Sequence, residues 1–233
     1  MIRVCAWNVE GVQISDRDER ARRIGAACRR LGVDLLLAQE VGFVVNDMKR
    51  GIKKAGGFEW GWWPYLGFPI RPGLCTFGMG QKPIERRKAA YQTPPGPAKG
   101  DLLTWKGWSA CLAYGIWWVN THLDSGGGAL DQRARAGQAV ELAQAVRALP
   151  GHVALGGDLN LEASPDRHRV QDRATYEALA RATGLRTAIH YDLDAILVSS
   201  GVRALEARVV SDEELGDVAR DLSDHRPLLA VLD

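Results

Sequence analysis

Residues 152–160 read His-Val-Ala-Leu-Gly-Gly-Asp-Leu-Asn, an apolar run that passes through two glycines and ends on a carboxylate and an amide. His152 to Leu155 has the character of a buried strand running into Asp158. Residues two apart on an extended segment point the same way, so Asp158 and Asn160 are expected side by side at the strand's tip. The same design of apolar run and polar tip occurs at Trp7-Asn8-Val9-Glu10, Gln39-Glu40, Asn120-Thr121-His122-Leu123-Asp124 and Ser223-Asp224-His225-Arg226-Pro227. A scaffold with such tips gathers oxygen ligands for a hard cation and sets imidazoles beside them, an arrangement suited to phosphate ester hydrolysis.

Outward from these tips the chain alternates strands and helices. Ile2 to Trp7 is a first strand, and Ser15 with Asp18 three residues on marks a capped helix burying Ile24, Ala27, Cys28 and Leu31, with Gly32 ending it. Asp34 to Gln39 is a buried strand delivering Glu40, and Asn46 to Ala55 a second helix ended by Gly56-Gly57. Gly73 to Met79, Ile84 to Tyr91, Leu102 to Trp105 and Ser109 to Thr121 read as a run of antiparallel strands, broken by the turn Thr93-Pro94-Pro95-Gly96-Pro97. Asp131 to Leu149 is a long amphipathic helix stopped by Pro150-Gly151, and Thr175 to Thr183 another. Leu193 to Ser199, Val202 to Val210 and Leu228 to Leu232 complete the strands, with an acidic loop from Asp212 to Asp221.

At 233 residues and 46% hydrophobic content the chain fits one soluble domain, 1–233, and a net charge of +2 is too small to identify a polyanionic partner by itself. Arg20, Arg22, Arg23, Arg29, Arg30 and the Arg86-Arg87-Lys88 run are local basic clusters. Cys5, Cys28, Cys75 and Cys111 are widely spaced and mostly sit in apolar runs, which points to reduced thiols and a cytoplasmic protein. The start Met1-Ile2-Arg3 lacks the pattern of a secretory signal, and no apolar stretch reaches membrane-spanning length.

In their order the motifs Trp7-Asn8-Val9, Gln39-Glu40, Asn120-Thr121-His122-Leu123, Gly157-Asp158-Leu159-Asn160, Leu193 to Ser199 and Ser223-Asp224-His225-Arg226-Pro227 resemble the endonuclease/exonuclease/phosphatase superfamily of DNase I-like proteins. The resemblance implies an α/β fold, a two-sheet mixed β-sandwich with helices on the outer faces and the site where the strand ends converge. Asn8 and Glu40 suit Mg²⁺ or Mn²⁺, with Asp224 a further candidate ligand. The resemblance implies that Asp158 orients or deprotonates the attacking water while Asn160 holds a phosphate oxygen. Asp194 and His225 read as a carboxylate–imidazole pair whose carboxylate fixes the ring tautomer. His122 is the second imidazole, a candidate donor to the leaving group. Arg135 and Gln138 match an R-x-x-Q pattern of the family with a structural or phosphate-steering role, which makes Arg135 a substrate-binding candidate.

Each of these residues has an ordinary reading taken singly: Asn8 a turn former, Glu40 a solvated strand end, Asp158-Leu159-Asn160 an Asx-turn, His225 a loop cap. The ordinary readings lose to six matches in one order. His152, His168 and His190 belong to no motif. The acidic residue that some nuclease members carry on the strand here reading Gly73-Leu74-Cys75-Thr76-Phe77, paired with the counterpart of His122, is absent. The aromatic stretch Phe58 to Phe68 reads as sheet core, with base stacking or a lipid interface as its functional alternative. The expectation is a monomeric Mg²⁺- or Mn²⁺-dependent phosphodiesterase acting on nucleic acid. Lys99-Gly100 before a strand and the Gly-Asp-Leu-Asn motif equally suit a lipid or small-molecule phosphoesterase acting at a lipid surface, and a non-catalytic binding module is the third class.

Overall fold

The computed structural model describes residues 1–10, 17–41, 46–64, 73–97, 106–162, 170–217 and 219–233. The expected helix start at Ser15, the strand from Leu102 to Trp105, Lys99-Gly100, His168 and the end of the aromatic stretch from Tyr65 lie outside them.

The first sheet has strand order β11-β12-β1-β2-β4-β3, formed by β1 (Ile2–Asn8), β2 (Leu35–Gln39), β3 (Trp60–Trp62), β4 (Cys75–Gly78), β11 (Ala204–Val209) and β12 (Leu228–Leu232). The second has order β5-β6-β7-β8-β10-β9, formed by β5 (Glu85–Ala90), β6 (Gly107–Ala113), β7 (Ile116–His122), β8 (His152–Asp158), β9 (Arg186–Tyr191) and β10 (Asp194–Val198). The antiparallel run expected from Gly73 to Thr121 is therefore divided: β4 belongs to one sheet, and β5, β6 and β7 to the other. Ser109 to Thr121 is a hairpin, β6 to β7, turned by Tyr114 (φ 55°) and Gly115 (φ 74°), the left-handed pair of a two-residue turn.

The central strands of both sheets are buried on both faces and are apolar nearly throughout, while the edge strands β5, β9 and β11 are exposed. Alternate residues divide between two cores: Val4, Ala6, Leu35 and Leu37 meet Trp118, Ala154, Ile196 and Val198 between the sheets. Cys5, Trp7 and Leu36 face outward to α1 (Arg17–Arg30) and α2 (Asn46–Gly56). On the far side Trp117, Val119 and Leu155 pack under α3 (Ala129–Arg147) and α4 (Val170–Thr183). The result is helix, sheet, sheet, helix, as expected.

One parallel pair stands in each sheet, β1 with β2 and β7 with β8, each joined through a helix, α1 or α3, as a parallel connection requires. Their carboxyl ends come out at the same edge of the sandwich, where ligands of α/β sheets gather. Asn8 closes β1, Glu40 follows β2, His122 closes β7 and Asp158 closes β8. The antiparallel neighbours bring their starts to that edge: Asp194 of β10 lies opposite Asp158, and His225 precedes β12. The glycine pair makes this convergence sterically possible. A Cβ on Gly157 would lie 2.1 Å from the Thr121 carbonyl oxygen on β7, and one on Gly156 2.8 Å from Leu37 of the facing sheet. Among the described residues, no helix is long and apolar enough to cross a membrane.

Candidate active site

Asn8 is the hub of the strand-end cluster. Its Nδ2 donates to Glu40 Oε1 at 3.1 Å and to Asp158 Oδ2 at 2.9 Å, and its Oδ1 accepts from the Glu10 backbone N–H at 3.0 Å. Across from it, His122 Nε2 lies 3.3 Å from Asp158 Oδ2 and 3.8 Å from Glu40 Oε1. His225 Nδ1 contacts Asp194 Oδ2 at 2.6 Å, and its Nε2 turns towards Asp158 Oδ2 at 3.8 Å and Asp224 Oδ1 at 3.9 Å. Seven of the eight side chains expected in the metal and catalytic set thus stand in direct succession around Asp158: Asn8, Glu40, His122, Asp158, Asp194, His225 and Asp224. The eighth, Asn160, adjoins Asp158 through its backbone.

The cluster is held by the loops behind it. Ser223 Oγ donates to the Asn8 carbonyl at 2.6 Å and accepts from the His225 N–H at 3.1 Å, while Trp7 Nε1 donates to the His225 carbonyl at 3.0 Å. Gln39 and Asn120, members of two motifs, bind each other rather than the site: Gln39 Nε2 donates to Asn120 Oδ1 at 2.7 Å, and Asn120 Nδ2 donates to the carbonyls of Ala38 and Cys75. They clamp the two sheets together directly beneath the carboxylates.

Three non-glycine residues at this edge adopt left-handed backbone conformations: Glu10 (φ 44°), Glu40 (φ 54°) and Asn160 (φ 50°). Such conformations cost about 1 kcal/mol or more each and concentrate at functional sites. Gly73 packs so closely on Glu40 that a Cβ there would lie 2.9 Å from the Glu40 Cα, and Val41 N–H donates to the Gly73 carbonyl. The contact fixes the direction of the Glu40 side chain.

Asn160 corrects an expectation. The chain does not stay extended after Asp158, because β8 ends there and Asn160 is left-handed. Its backbone N–H donates to Asp158 Oδ1 at 2.9 Å and its Nδ2 to the Leu123 carbonyl at 3.1 Å. The turn locks the Asp158 carboxylate as well as setting Asn160 beside it. Arg135 corrects another: fully buried, it donates three hydrogen bonds to Asp172 and one each to the carbonyls of Asp124 and Gly126, and is no substrate contact. Its motif partner Gln138 accepts from the Asp124 N–H. The R-x-x-Q pattern serves to shape the loop after His122. Of the expected ligands, Asp224 is the most exposed, at 65%, and its N–H donates to Glu10 Oε2.

Lys106 was not singled out by its sequence position. It is 7% exposed and its Nζ lies 2.9 Å from His122 Nε2. The only sequence sign is a Lys-Gly pair, Lys106-Gly107, directly before a strand.

Electrostatically the cluster is strongly coupled. Burial acts to raise Asp158, but His122 and His225, the hydrogen bond from Asn8 and the charge of Lys106 outweigh it and keep the carboxyl below its usual range. Burial also opposes a charged His225, yet the hydrogen bond to Asp194 and the charges of Asp158, Asp194 and Asp224 raise it. Burial pushes Asp194 upwards, with its hydrogen bond to His225 acting against the rise. Carboxylates face His225 from three sides, so the proton shared by the pair resides on the imidazole. Asp194 Oδ1 is buried without a hydrogen-bond partner, which leaves this carboxylate to act through His225.

Glu40, His122 and Asp158 offer donor atoms within 4.8 Å of one another, as do Asp158, Asp194 and His225. Two carboxylates that both contact the Asn8 amide fit a hard divalent cation, with Glu40 and Asp158 as anionic ligands and Asn8 as a neutral one once its amide presents oxygen. Such an ion supplies charge neutralisation to a phosphate in the site. Asp158 stands where it could accept a proton from water, and His225, held by Asp194, is an imidazolium that could donate to a phosphate oxygen.

A family model described as the Endonuclease/Exonuclease/phosphatase family matches residues 5–225. No curated protein matches the sequence. Among solved structures, sphingomyelinase C from Streptomyces griseocarneus is 19% identical, with a TM-score of 0.72 and 98% of each chain covered. A Staphylococcus aureus beta toxin mutant with bound magnesium ions is 16% identical, with a TM-score of 0.70 and again 98% of each chain covered. A humanized D. rerio TDP2 is 16% identical, with a TM-score of 0.67, covering 100% of this chain and 98% of its own. The likeness extends over the whole sandwich, and the motifs lie at the edge where its strand ends converge. The chain belongs to the endonuclease/exonuclease/phosphatase family of metal-dependent phosphoesterases.

Proposed function

We propose that the protein is a Mg²⁺- or Mn²⁺-dependent phosphodiesterase that hydrolyses nucleic acid by attack of an activated water. The observation that carries the hydrolytic reading is the sharing of Asp158 between the two compact donor groups, Glu40-His122-Asp158 and Asp158-Asp194-His225. One group serves a cation and the other a proton, and a phosphodiester needs both at one place.

The nucleic-acid reading draws on a groove between α1 and α2, lined by Arg22, Arg50 and Lys54 with Asp18, of about 490 Å³. Arg22 and Arg50 stand in the second turns of α1 and α2 and Lys54 in the last turn of α2, and together they give this helix seam a positive surface that a polyanion could follow. The Arg86-Arg87-Lys88 run is less suited to that role. Arg86 lies over the Trp62 ring, and Arg87 stacks on Trp117, pairs with Glu85 and donates to the Ala148 carbonyl. These residues dress an edge strand with charge.

A lipid-headgroup phosphodiester is the second reading, favoured by Trp63, 42% exposed beside the β3 end with Lys49 Nζ 5.7 Å from its ring. Activity against plasmid DNA, single strands, RNA, an inositol phosphate and sphingomyelin, each with Mg²⁺, Mn²⁺ or a chelator, separates the readings. Metal-dependent cleavage of a nucleic acid is expected. Hydrolysis of sphingomyelin alone would transfer the proposal to lipid, and inactivity on every phosphoester in either metal would remove the hydrolytic reading.

A further inference from the structure

An ammonium taken out of water without a counter-ion is costly, and a lysine held that way is suited to an anion that arrives from outside. Lys49, near the start of α2, is such a residue. It is 5% exposed, and among the described residues no carboxylate pairs with it. Its charge lies instead over the ring of Trp63, with Nζ 5.7 Å from the centroid and within cation–π reach. The indole is itself exposed, and it is seated on β3: a Cβ on Gly61 would stand 3.0 Å from Trp63 Cζ3.

The pair stands at the end of the first sheet that carries the site. Trp63 follows the Trp62–Thr76 pairing of β3 with β4 by one residue. The Lys49 charge reaches the neighbouring Cys75, whose thiol burial pushes up to about 12 with Lys49 acting against the rise. Cys75 pairs with Ala38 of β2, two residues before Glu40, and Gly73 packs on Glu40 itself. In the order β2-β4-β3, two strand spacings, about 10 Å, separate the strand of Glu40 from that of Trp63. One strand of nucleic acid covers that span in about three nucleotides at a rise of ~3.4 Å each.

A cation beside an exposed indole matches the two parts of a nucleotide, since a phosphate takes the ammonium and a base stacks on the ring. A lipid surface asks for more apolar area. Among the described residues the other exposed large hydrophobics, Met1, Ile84, Leu130, Val140, Tyr191 and Leu205, lie outside α2 and β3, so Trp63 offers a stacking face and not an insertion patch. We propose that Lys49 and Trp63 form a nucleotide subsite a few nucleotides from the scissile bond, Lys49 holding a backbone phosphate and Trp63 a base. The proposal rests on the nucleic-acid reading above and names where a further unit of that substrate is held.

The test is fluorescence anisotropy of labelled single-stranded oligonucleotides, two and eight residues long, with the D158A protein alone or carrying K49M, K49R or W63A, alongside thermal melting. The long strand should bind the D158A protein at least about tenfold more tightly than the short one, because only it reaches both places. K49M should lower the slope of log affinity against log salt for the long strand by about 0.7, one lost contact to a single strand, and K49R should restore it by returning the charge. W63A should weaken the long strand about fivefold or more at an unchanged slope, since stacking releases no counterion. The short strand should lose at least about threefold less in either variant. K49M should melt at or above the temperature of its D158A parent, as removal of an unpaired buried ammonium allows. A folded K49M protein with unchanged affinity and slope would overturn the subsite and leave the nucleic-acid reading intact, as would equal losses on both lengths. Should K49M not fold, the exposed W63A change decides, and full long-strand affinity in it sinks the subsite. Binding of neither strand by the D158A protein removes the nucleic-acid reading and the subsite together, and phosphatidylcholine vesicles held in high salt and released by W63A would then assign the pair to a lipid surface.

Discussion

At the residue scale, Glu40 and Arg135 separate charge kept for chemistry from charge kept for structure. Glu40 is partly exposed, left-handed and pressed by Gly73, conditions that stabilise nothing locally but fix a carboxylate beside Asp158. E40Q should reduce turnover by orders of magnitude and weaken the metal dependence while the melting temperature stays level or rises; a collapsed melt with normal activity per folded molecule would reverse the reading. Arg135 and Asp172 form a fully buried pair, and R135M removes the cation facing the buried Asp172, costing about 3–5 kcal/mol in denaturant unfolding. A cost under about 1 kcal/mol would show that Asp172 finds water. His190 offers a pH readout away from the site. It stacks on Tyr176 at 4.0 Å, and burial holds its pKa below the ordinary 6.5 against the pull of the Leu161 carbonyl and Asp192. The unfolded chain therefore takes up this proton first, and the contribution is complete above 6.5 and lost as pH falls through the folded value. H190F should flatten that acid limb of a stability–pH curve; an unchanged slope would place the proton uptake elsewhere.

At the element scale, legibility followed burial. β1, β2, β8 and β12 were readable because both faces of each are covered, leaving apolar runs with a polar tip, and α1 and α3 because one face of each meets a sheet. β3 has three residues with Gly61 in the middle, and β9 is a half-exposed edge strand with mixed chemistry, so neither carries a periodic signal. The acidic segment expected as a loop contains two single-turn helices, α5 (Asp212–Leu215) and α6 (Ala219–Leu222), the first closed by a Ser211–Glu214 capping box. The site residues were legible because chemistry demands Asn, Glu, Asp and His at strand ends. The left-handed turns at Glu40 and Asn160 were not, since composition there favours glycine, and neither was Lys106, whose partner His122 is brought near by strand pairing. The two glycines of β8 differ in what they face. G157A drives a methyl into the rigid Thr121 backbone and should destabilise by on the order of 3 kcal/mol, whereas G156A meets the mobile end of Leu37 and should cost less. Equal costs for the two variants would mean that β7 yields as easily as a side chain.

At the scale of the whole molecule, the two parallel units β1-α1-β2 and β7-α3-β8 face each other so that four strand ends meet, and each unit's first helix leaves from the same edge. The cations of the α1–α2 groove line an open surface, while those of β5 are engaged with tryptophans and Glu85. This geometry decides which arginines a nucleic acid should feel. Each phosphate contact releases a counterion, so the slope of log affinity against log salt counts the contacts made. Binding of duplex DNA to an inactive D158A variant should weaken steeply with salt. Replacing Arg22, Arg50 and Lys54 together by Gln should lower that slope by about 2 or 3, one step per lost contact, and the same change at Arg86, Arg87 and Lys88 should lower it by less than about 1. A larger loss from the β5 triple would move the nucleic-acid path to the opposite sheet. Vesicle binding that survives salt and is lost in W63A, with no DNA affinity in D158A, would instead give the site a lipid phosphodiester, because apolar insertion at an interface does not depend on released counterions.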